Sequence, residues 1–275
     1  MESLLYPVIA LGGLGLAFGL LLSFASKKFA VPVDPKVEAV RALLPGANCG
    51  ACGFEGCDIY AENVASGAAA TNRCPIGGPD LAAALGRLMG SDAGAEERKV
   101  ASVRCRTGCD RGIEAYIYQG IRDCRKATVL PGGGPNACSF SCLGFGTCIA
   151  ACAFGALSVR DGIVVVERAL CVGCGKCVEA CPRGVLEMIP LSQPVRLACN
   201  NADRGAQVRE VCPEGCIGCG LCAKFCEAKA IVMKDNLPVI DGSLCVACGK
   251  CVEKCPVKAI LITPAGAGKI TPKAS

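Results

Sequence analysis

A chain of 275 residues with 25 cysteines, no histidine and no tryptophan leaves little for neutral-pH acid–base catalysis, which draws most often on histidine. Its formal charge of +5 is weak ground for a nucleic-acid partner, and 12 Phe and Tyr residues offer few rings for stacking on bases. The cysteines fall in tight groups, too close together on one loop to bridge one another. Metal thiolates in a reducing compartment are therefore expected rather than disulfides.

In chain order, Tyr6–Ala25 holds no charge and is long enough to cross a bilayer core. Only Glu2 precedes it and Lys27 and Lys28 follow, the reverse of a secretory signal. A retained single-span transmembrane helix is expected, with everything after the lysines on the cytoplasmic side of a prokaryotic membrane. Gly12, Gly15 and Gly19 lack the spacing and frame of a dinucleotide loop. Gly15-x-x-x-Gly19 suits close packing on another membrane helix.

Pro35–Leu44 reads as a short helix closed by Pro45-Gly46. Cys49, Cys52, Cys57 and Cys74 then make C-x2-C-x4-C-x16-C, with Gly50, Gly53 and Gly56 letting the backbone wrap close to a cluster. A helix over Asp58–Ser66 returns the fourth ligand, and Leu81–Met89 is a further helix before a linker at Ser91–Glu97. Zinc stays open at this quartet on spacing alone.

Cys105, Cys109 and Cys124 fit no tight pattern, and the GGGP at 132–135 reads as a turn or hinge. Beyond them an internal repeat organises the chain. LCVGCGKCVEACP at Leu170–Pro182 returns as LCVACGKCVEKCP at Leu244–Pro256, an offset of 74 residues with 11 of 13 positions identical. Each copy has the C-x2-C-x2-C-x3-C-P spacing of bacterial ferredoxins, in which three thiolates hold one 4Fe–4S cube and the fourth reaches the neighbouring cube. The same offset carries Cys142, Cys148 and Cys152 onto Cys216, Cys222 and Cys226, and Cys138 onto Cys212. Phe145 stands where the second copy has Cys219, so Cys138 is the nearest replacement for the lost ligand.

The swap assigns one cube to Cys138, Cys142, Cys148 and Cys181 and its partner to Cys171, Cys174, Cys177 and Cys152. In the second repeat the sets are Cys216, Cys219, Cys222 with Cys255, and Cys245, Cys248, Cys251 with Cys226. Five clusters are expected, and a sixth if four of Cys105, Cys109, Cys124, Cys199 and Cys212 converge; free buried thiols are the alternative. At about −2 per cluster with its thiolates, five turn +5 into about −5. The segments GALSV and KAIVM should be strands, with DGIVVV and NLPVI as their hairpin mates.

The expected fold is α+β: a transmembrane anchor (1–26), a small helical 4Fe–4S domain (27–95), a linker (96–135), two tandem ferredoxin-like modules (136–190 and 191–264), and a disordered tail (265–275). Lys224, Lys229, Lys250, Lys254 and Lys258 crowd the second module. They make either a docking face for an acidic ferredoxin or a solvated face balancing cluster charge.

Anchor, N-terminal quartet and modules, in this order, resemble the B subunit of the Rnf complex, in its long form with two ferredoxin modules. The resemblance covers nearly the whole chain. Ala153 after Cys152 and Glu227 after Cys226 depart from the usual proline. The family implies a membrane complex that oxidises reduced ferredoxin, reduces NAD+ and moves Na+ or H+, with this chain receiving the electrons and passing them to other subunits. The chain itself has no NAD or flavin loop. A polyferredoxin subunit of a hydrogenase or formate dehydrogenase, or a protein that keeps a redox-sensing transcription factor reduced, are the competing functions.

Overall fold

The computed structural model describes residues 2–29, 34–91, 94, 97–107 and 113–263. Cys109, most of the Ser91–Glu97 linker and the tail from Pro264 lie outside them. Helix α1 (Glu2–Lys28) runs through the uncharged segment. Among the described residues, which leave out the side chains at 2–5 and 7–10, no helix is long and apolar enough to cross a membrane.

Helices α2 (Pro35–Leu43), α3 (Cys57–Ala65) and α4 (Gly78–Met89) form the next unit. Asp34 caps α2 by accepting from the Lys36 amide at 2.8 Å, and Pro35 sits in the first turn, where it has no hydrogen bond to lose. Helix α4 begins three residues before the expected Leu81 and stops at Gly90 in the left-handed conformation (φ 65°). The three helices close over Val40, Tyr60, Val64 and Leu85, all 1% exposed or less. Arg41 on α2 pairs with Asp58 on α3 at the edge of this core.

Each repeat is built from two antiparallel strand pairs. Strands β2 (Leu157–Arg160) and β3 (Ile163–Val166) form the expected hairpin, as do β6 (Ile231–Lys234) and β7 (Leu237–Ile240). Both turns put two residues at positive φ, Asp161-Gly162 and Asp235-Asn236, the type I′ geometry that fits strand twist. The outer pairs go beyond what the local pattern signals. Strand β1 (Lys99–Val103), inside the expected linker, pairs with β4 (Leu186–Pro190), and β5 (Val195–Leu197) pairs with β8 (Ile260–Ile262). So 96–135 is more than a connector: its first strand frames the first repeat as β5 frames the second.

Short helices carry or lead into cysteines: α5 (Cys124–Ala127), α6 (Thr147–Ala150), α7 (Lys176–Ala180), α8 (Gly205–Val211, which ends at Cys212), α9 (Leu221–Lys224) and α10 (Lys250–Glu253). The two repeats are tied across their seam. Arg106 donates to the Lys258 carbonyl at 2.7 Å and pairs with Glu214 at 3.3 Å, while Arg196 donates to the Val103 carbonyl at 2.8 Å.

Candidate metal centres

The backbone of the runs is shaped by glycines, two of which in the first repeat leave no room for a side chain. A Cβ on Gly144 (φ 68°) would stand 2.5 Å from the Gly162 carbonyl oxygen, and one on Gly173 (φ 77°) 2.4 Å from that of Lys99. These close approaches pull each cysteine loop against its strand pair. Amides then point at sulfurs: Ala101 donates to Cys171 Sγ at 3.4 Å and Ala259 to Cys255 Sγ at 3.3 Å. The 24 described cysteines are all free thiols.

Three cavities are each walled by four cysteines. One is lined by Cys124, Cys142, Cys148 and Cys181, and one by Cys152, Cys171, Cys174 and Cys177. The exchange of Cys152 and Cys181 between neighbouring sites is the swap expected from the spacing. The fourth member of the first set differs from the expectation. Cys124 occupies the place given to Cys138, and the reason lies in the repeat. The segment from Cys105 to Cys138 spans 33 residues against 13 from Cys199 to Cys212, and the extra length carries Cys124 on α5. Its amide donates a hydrogen bond to Thr147 Oγ1 at 2.7 Å beside Cys148. Phe145, in the vacant ligand position, instead anchors the inserted segment: Tyr118 stacks on it at 5.1 Å and Arg122 lies over its ring at 5.4 Å.

Cys138 faces a third cavity, together with Cys105, Cys199 and Cys212. Cys105 and Cys199 stand at the same distance, two residues, after β1 and β5, and Cys138 and Cys212 are related by the 74-residue offset. Each repeat thus gives one equivalent pair, and the cavity lies on the seam. Asn201 approaches Cys138 Sγ at 3.5 Å, Thr107 Oγ1 lies 3.3 Å from Cys212 Sγ, and the Cys216 amide donates to Cys199 Sγ at 3.2 Å. All five leftover cysteines were candidates for a sixth site that needs four. The structure brings three of them to one cavity with Cys138, sends Cys124 elsewhere, and leaves Cys109 outside the described residues.

In the second repeat, burial pushes the Cys216 thiol up to about 11, with Cys199, Cys222 and Cys255 adding to it, and Cys222 is raised by burial and then by Cys219 and Cys255. Cys222 and Cys255 lie in one core with Cys216 packed against it. Cys251 is pushed up to about 11 by burial and by Cys245 and Cys248, and Cys226 packs on the same core. In the N-terminal unit, Cys74 is raised by burial and by Cys52 and Cys49, and Cys57 opens α3 with its amide held by Asn48 at 2.8 Å. Cys49 also bears on Cys174, whose thiol burial raises, so this unit abuts the first repeat.

The donor chemistry fits iron–sulfur cubes. Burial raises Cys148 to about 12 and Cys138 and Cys142 to about 11, with neighbouring thiols adding to it. Such thiols stay protonated until a cationic core binds the sulfur and displaces the proton to solvent, so loading releases protons. Among the described residues no three such side chains converge on a single ion. Instead they line cavities four to each, the donor set of a 4Fe–4S cube. A spare donor is present too: Arg183 lines the Cys124 cavity with its Nε buried and unpartnered.

Ferredoxin-like strand pairs, swapped cysteine runs and cysteine-walled cavities define a multi-site iron–sulfur protein built to carry electrons. A family model for an Fe-S cluster matches residues 44–76, and one described as a 4Fe-4S dicluster domain matches 170–230 and again 215–259. The B subunit of an ion-translocating oxidoreductase complex from Methanosarcina acetivorans is 45% identical over 88% of this chain and 92% of its own length. The B subunit of the Na(+)-translocating ferredoxin:NAD(+) oxidoreductase complex of Acetobacterium woodii is 44% identical over 88% of this chain and 72% of its own. That of the proton-translocating complex of Clostridium ljungdahlii is 41% identical over 89% and 86%. The chain belongs to this family, the B subunits of the Rnf ion-translocating oxidoreductase complexes.

Proposed function

We propose that the chain relays electrons from reduced ferredoxin, through six 4Fe–4S clusters, to the other subunits of a membrane-bound ferredoxin:NAD+ oxidoreductase that moves Na+ or H+. When bound, each cluster takes up and gives back one electron. Cys49, Cys52, Cys57 and Cys74 hold the first. Cys152, Cys171, Cys174 and Cys177 hold the second, and Cys124, Cys142, Cys148 and Cys181 the third. Cys105, Cys138, Cys199 and Cys212 hold a bridging cluster on the seam. Cys216, Cys219, Cys222 and Cys255, then Cys226, Cys245, Cys248 and Cys251, hold the last two.

The observation that carries this reading is the succession of these sites, the last two of which share one core around Cys222, Cys251 and Cys255. Cys49 bears on Cys174, Cys177 on Cys148, Cys105 on Cys142, and Cys199 accepts a hydrogen bond from the amide of Cys216. The protein's work is to hold the sites close, exclude water from the inner ones and set their potentials by hydrogen bonds and charge. Lys224, Lys229, Lys250, Lys254 and Lys258 are all exposed beside the last two sites, although Lys250 pairs with Glu227. They form the docking face for an acidic ferredoxin. Helix α1 anchors the chain: its described Leu and Phe side chains from Leu11 to Phe24 are 58–72% exposed, an apolar surface on all sides that suits lipid or neighbouring membrane helices. Lys27 and Lys28 place the iron–sulfur domains on the cytoplasmic side.

Anaerobic purification of the full chain, with iron and sulfide counts and electron paramagnetic resonance during titration, tests the reading. About 24 iron atoms per chain is the expected result; about 20 removes the bridging site, and zinc at any quartet removes that assignment.

A further inference from the structure

Arg183 places a guanidinium between two of the proposed sites. It follows Cys181-Pro182 directly and lines the cavity of Cys124, Cys142, Cys148 and Cys181. Its Nη1 donates to the Cys138 carbonyl at 3.0 Å and its Nη2 to the Gly133 carbonyl at 2.6 Å, while the Asn200 side-chain amide donates to the Arg183 carbonyl at 3.1 Å. The glycine-rich turn makes room for it: a Cβ on Gly134 (φ 134°) would stand 3.1 Å from Nη2 and 3.0 Å from Leu143. Nε is buried with no partner, which leaves one N–H for a cluster sulfur. The 74-residue offset puts Val257 at the equivalent position of the second repeat.

We propose that Arg183 raises the reduction potential of the cluster at Cys124, Cys142, Cys148 and Cys181 above that of its repeat counterpart at Cys216, Cys219, Cys222 and Cys255. It thereby sets the direction of electron flow, from the second repeat to the first. This rests on the proposed ligand sets. The sign follows from charge. Uptake of one electron takes a cluster and its thiolates from about −2 to about −3, and a fixed cation stabilises the more negative state more. An N–H to sulfur acts in the same direction. Burial lowers the pKa of Arg183, against a pull upward from Cys138, Cys124, Cys142 and Cys181, yet a guanidinium stays charged. The lysines of the second repeat are exposed, where water and salt screen them.

The test is a redox titration of the whole chain by electron paramagnetic resonance, with iron counts, for wild type, Arg183→Gln, Arg183→Lys and Val257→Arg. With iron unchanged, the midpoint of one cluster falls in Arg183→Gln and stays near the wild-type value in Arg183→Lys. A different midpoint rises in Val257→Arg. Equal shifts in Arg183→Gln and Arg183→Lys overturn the proposal, because a purely structural role treats both alike. Should Arg183→Gln lose iron, Val257→Arg decides: unmoved midpoints there overturn it. Failure of the ligand sets shows separately, as a wild-type count that Cys124→Ala does not lower.

Discussion

In the first repeat Cys142, Cys148, Cys171 and Cys177 are buried, and Val172 and Cys174 are half-covered where the N-terminal unit brings Cys49 close. In the second, Cys219 and Cys248 are exposed and Val246, the equivalent of Val172, is 70% open. The hairpin strands, their turns and the positive-φ positions nevertheless match at the 74-residue offset. Lys229 and Lys258 take up at φ 51° and 54° the conformations of Gly155 and Gly184. One backbone thus serves two settings. The inner copy has gained an inserted segment, a rewired ligand and a buried arginine, whereas the outer copy keeps the plain ferredoxin pattern and a lysine-rich surface. On the proposed relay, an inner site passes electrons between fixed neighbours and an outer one meets a diffusing partner.

The largest effect that could break this comparison is loss of a cluster. Cys124→Ala is expected to remove about four iron atoms from the first repeat, and Cys138→Ala about four from the seam. Cys138→Ala should also stop ferredoxin-driven reduction of the N-terminal cluster while both repeats still load. Iron counts and spectra of the two variants check this. A Cys124→Ala chain with its full iron content would return Cys138 to the first repeat and dissolve the seam site.

Next in size is the packing of the inner loops. Gly173→Ala puts a Cβ 2.4 Å from the Lys99 carbonyl at φ 77°, so β1 or the cysteine loop must move. A loss of about 3 kcal/mol is expected, read as a lowered denaturation midpoint of the loaded chain. Gly218→Ala meets the Asn236 carbonyl at 3.0 Å instead of 2.5 Å for the equivalent Gly144. It should be the milder substitution of that pair.

The sequence carried the hairpins and most of the sites for a physical reason. Cysteine spacing is a local constraint of cluster ligation, and the Asp-Gly turn between apolar runs is a local constraint of strand twist. Strands β1 and β5 are hidden from a local reading because each is short and its partner lies far along the chain, Lys99 opposite Pro190 and Val195 opposite Ile262. The fourth ligand is hidden for the same reason. Cys138 is four residues from Cys142, Cys124 is eighteen, and only the fold shows that α5 returns to Thr147. A signal was available in Phe145: a lost ligand together with an insertion that carries a cysteine. Cys105 and Cys199 become legible as a pair only once the strands before them are aligned.

A smaller effect is expected at the outer surface. Replacing Lys224, Lys229 and Lys254 by Gln, or raising salt, should slow electron transfer from ferredoxin roughly tenfold by weakening encounter. Lys250, paired with Glu227, should contribute less. A rate indifferent to both would leave the lysines as counter-charges to the clusters and take the exchange role away from the second repeat.

The smallest effect tests whether the outer copy tolerates strain that the inner one avoids. Ala247 stands at φ 56° where the first repeat has Gly173 at φ 77°, a left-handed conformation that costs a residue with a Cβ about 1–2 kcal/mol. Ala247 is exposed. Ala247→Gly removes that strain and gives back about 0.4–1 kcal/mol through the freer unfolded chain. The net gain expected is roughly 0.5 kcal/mol, against the large loss from Gly173→Ala, both read from denaturation midpoints of the loaded chain. A destabilised Ala247→Gly would mean that the outer loop rests on the alanine methyl. The two loops would then differ in how they are held as well as in how they are covered.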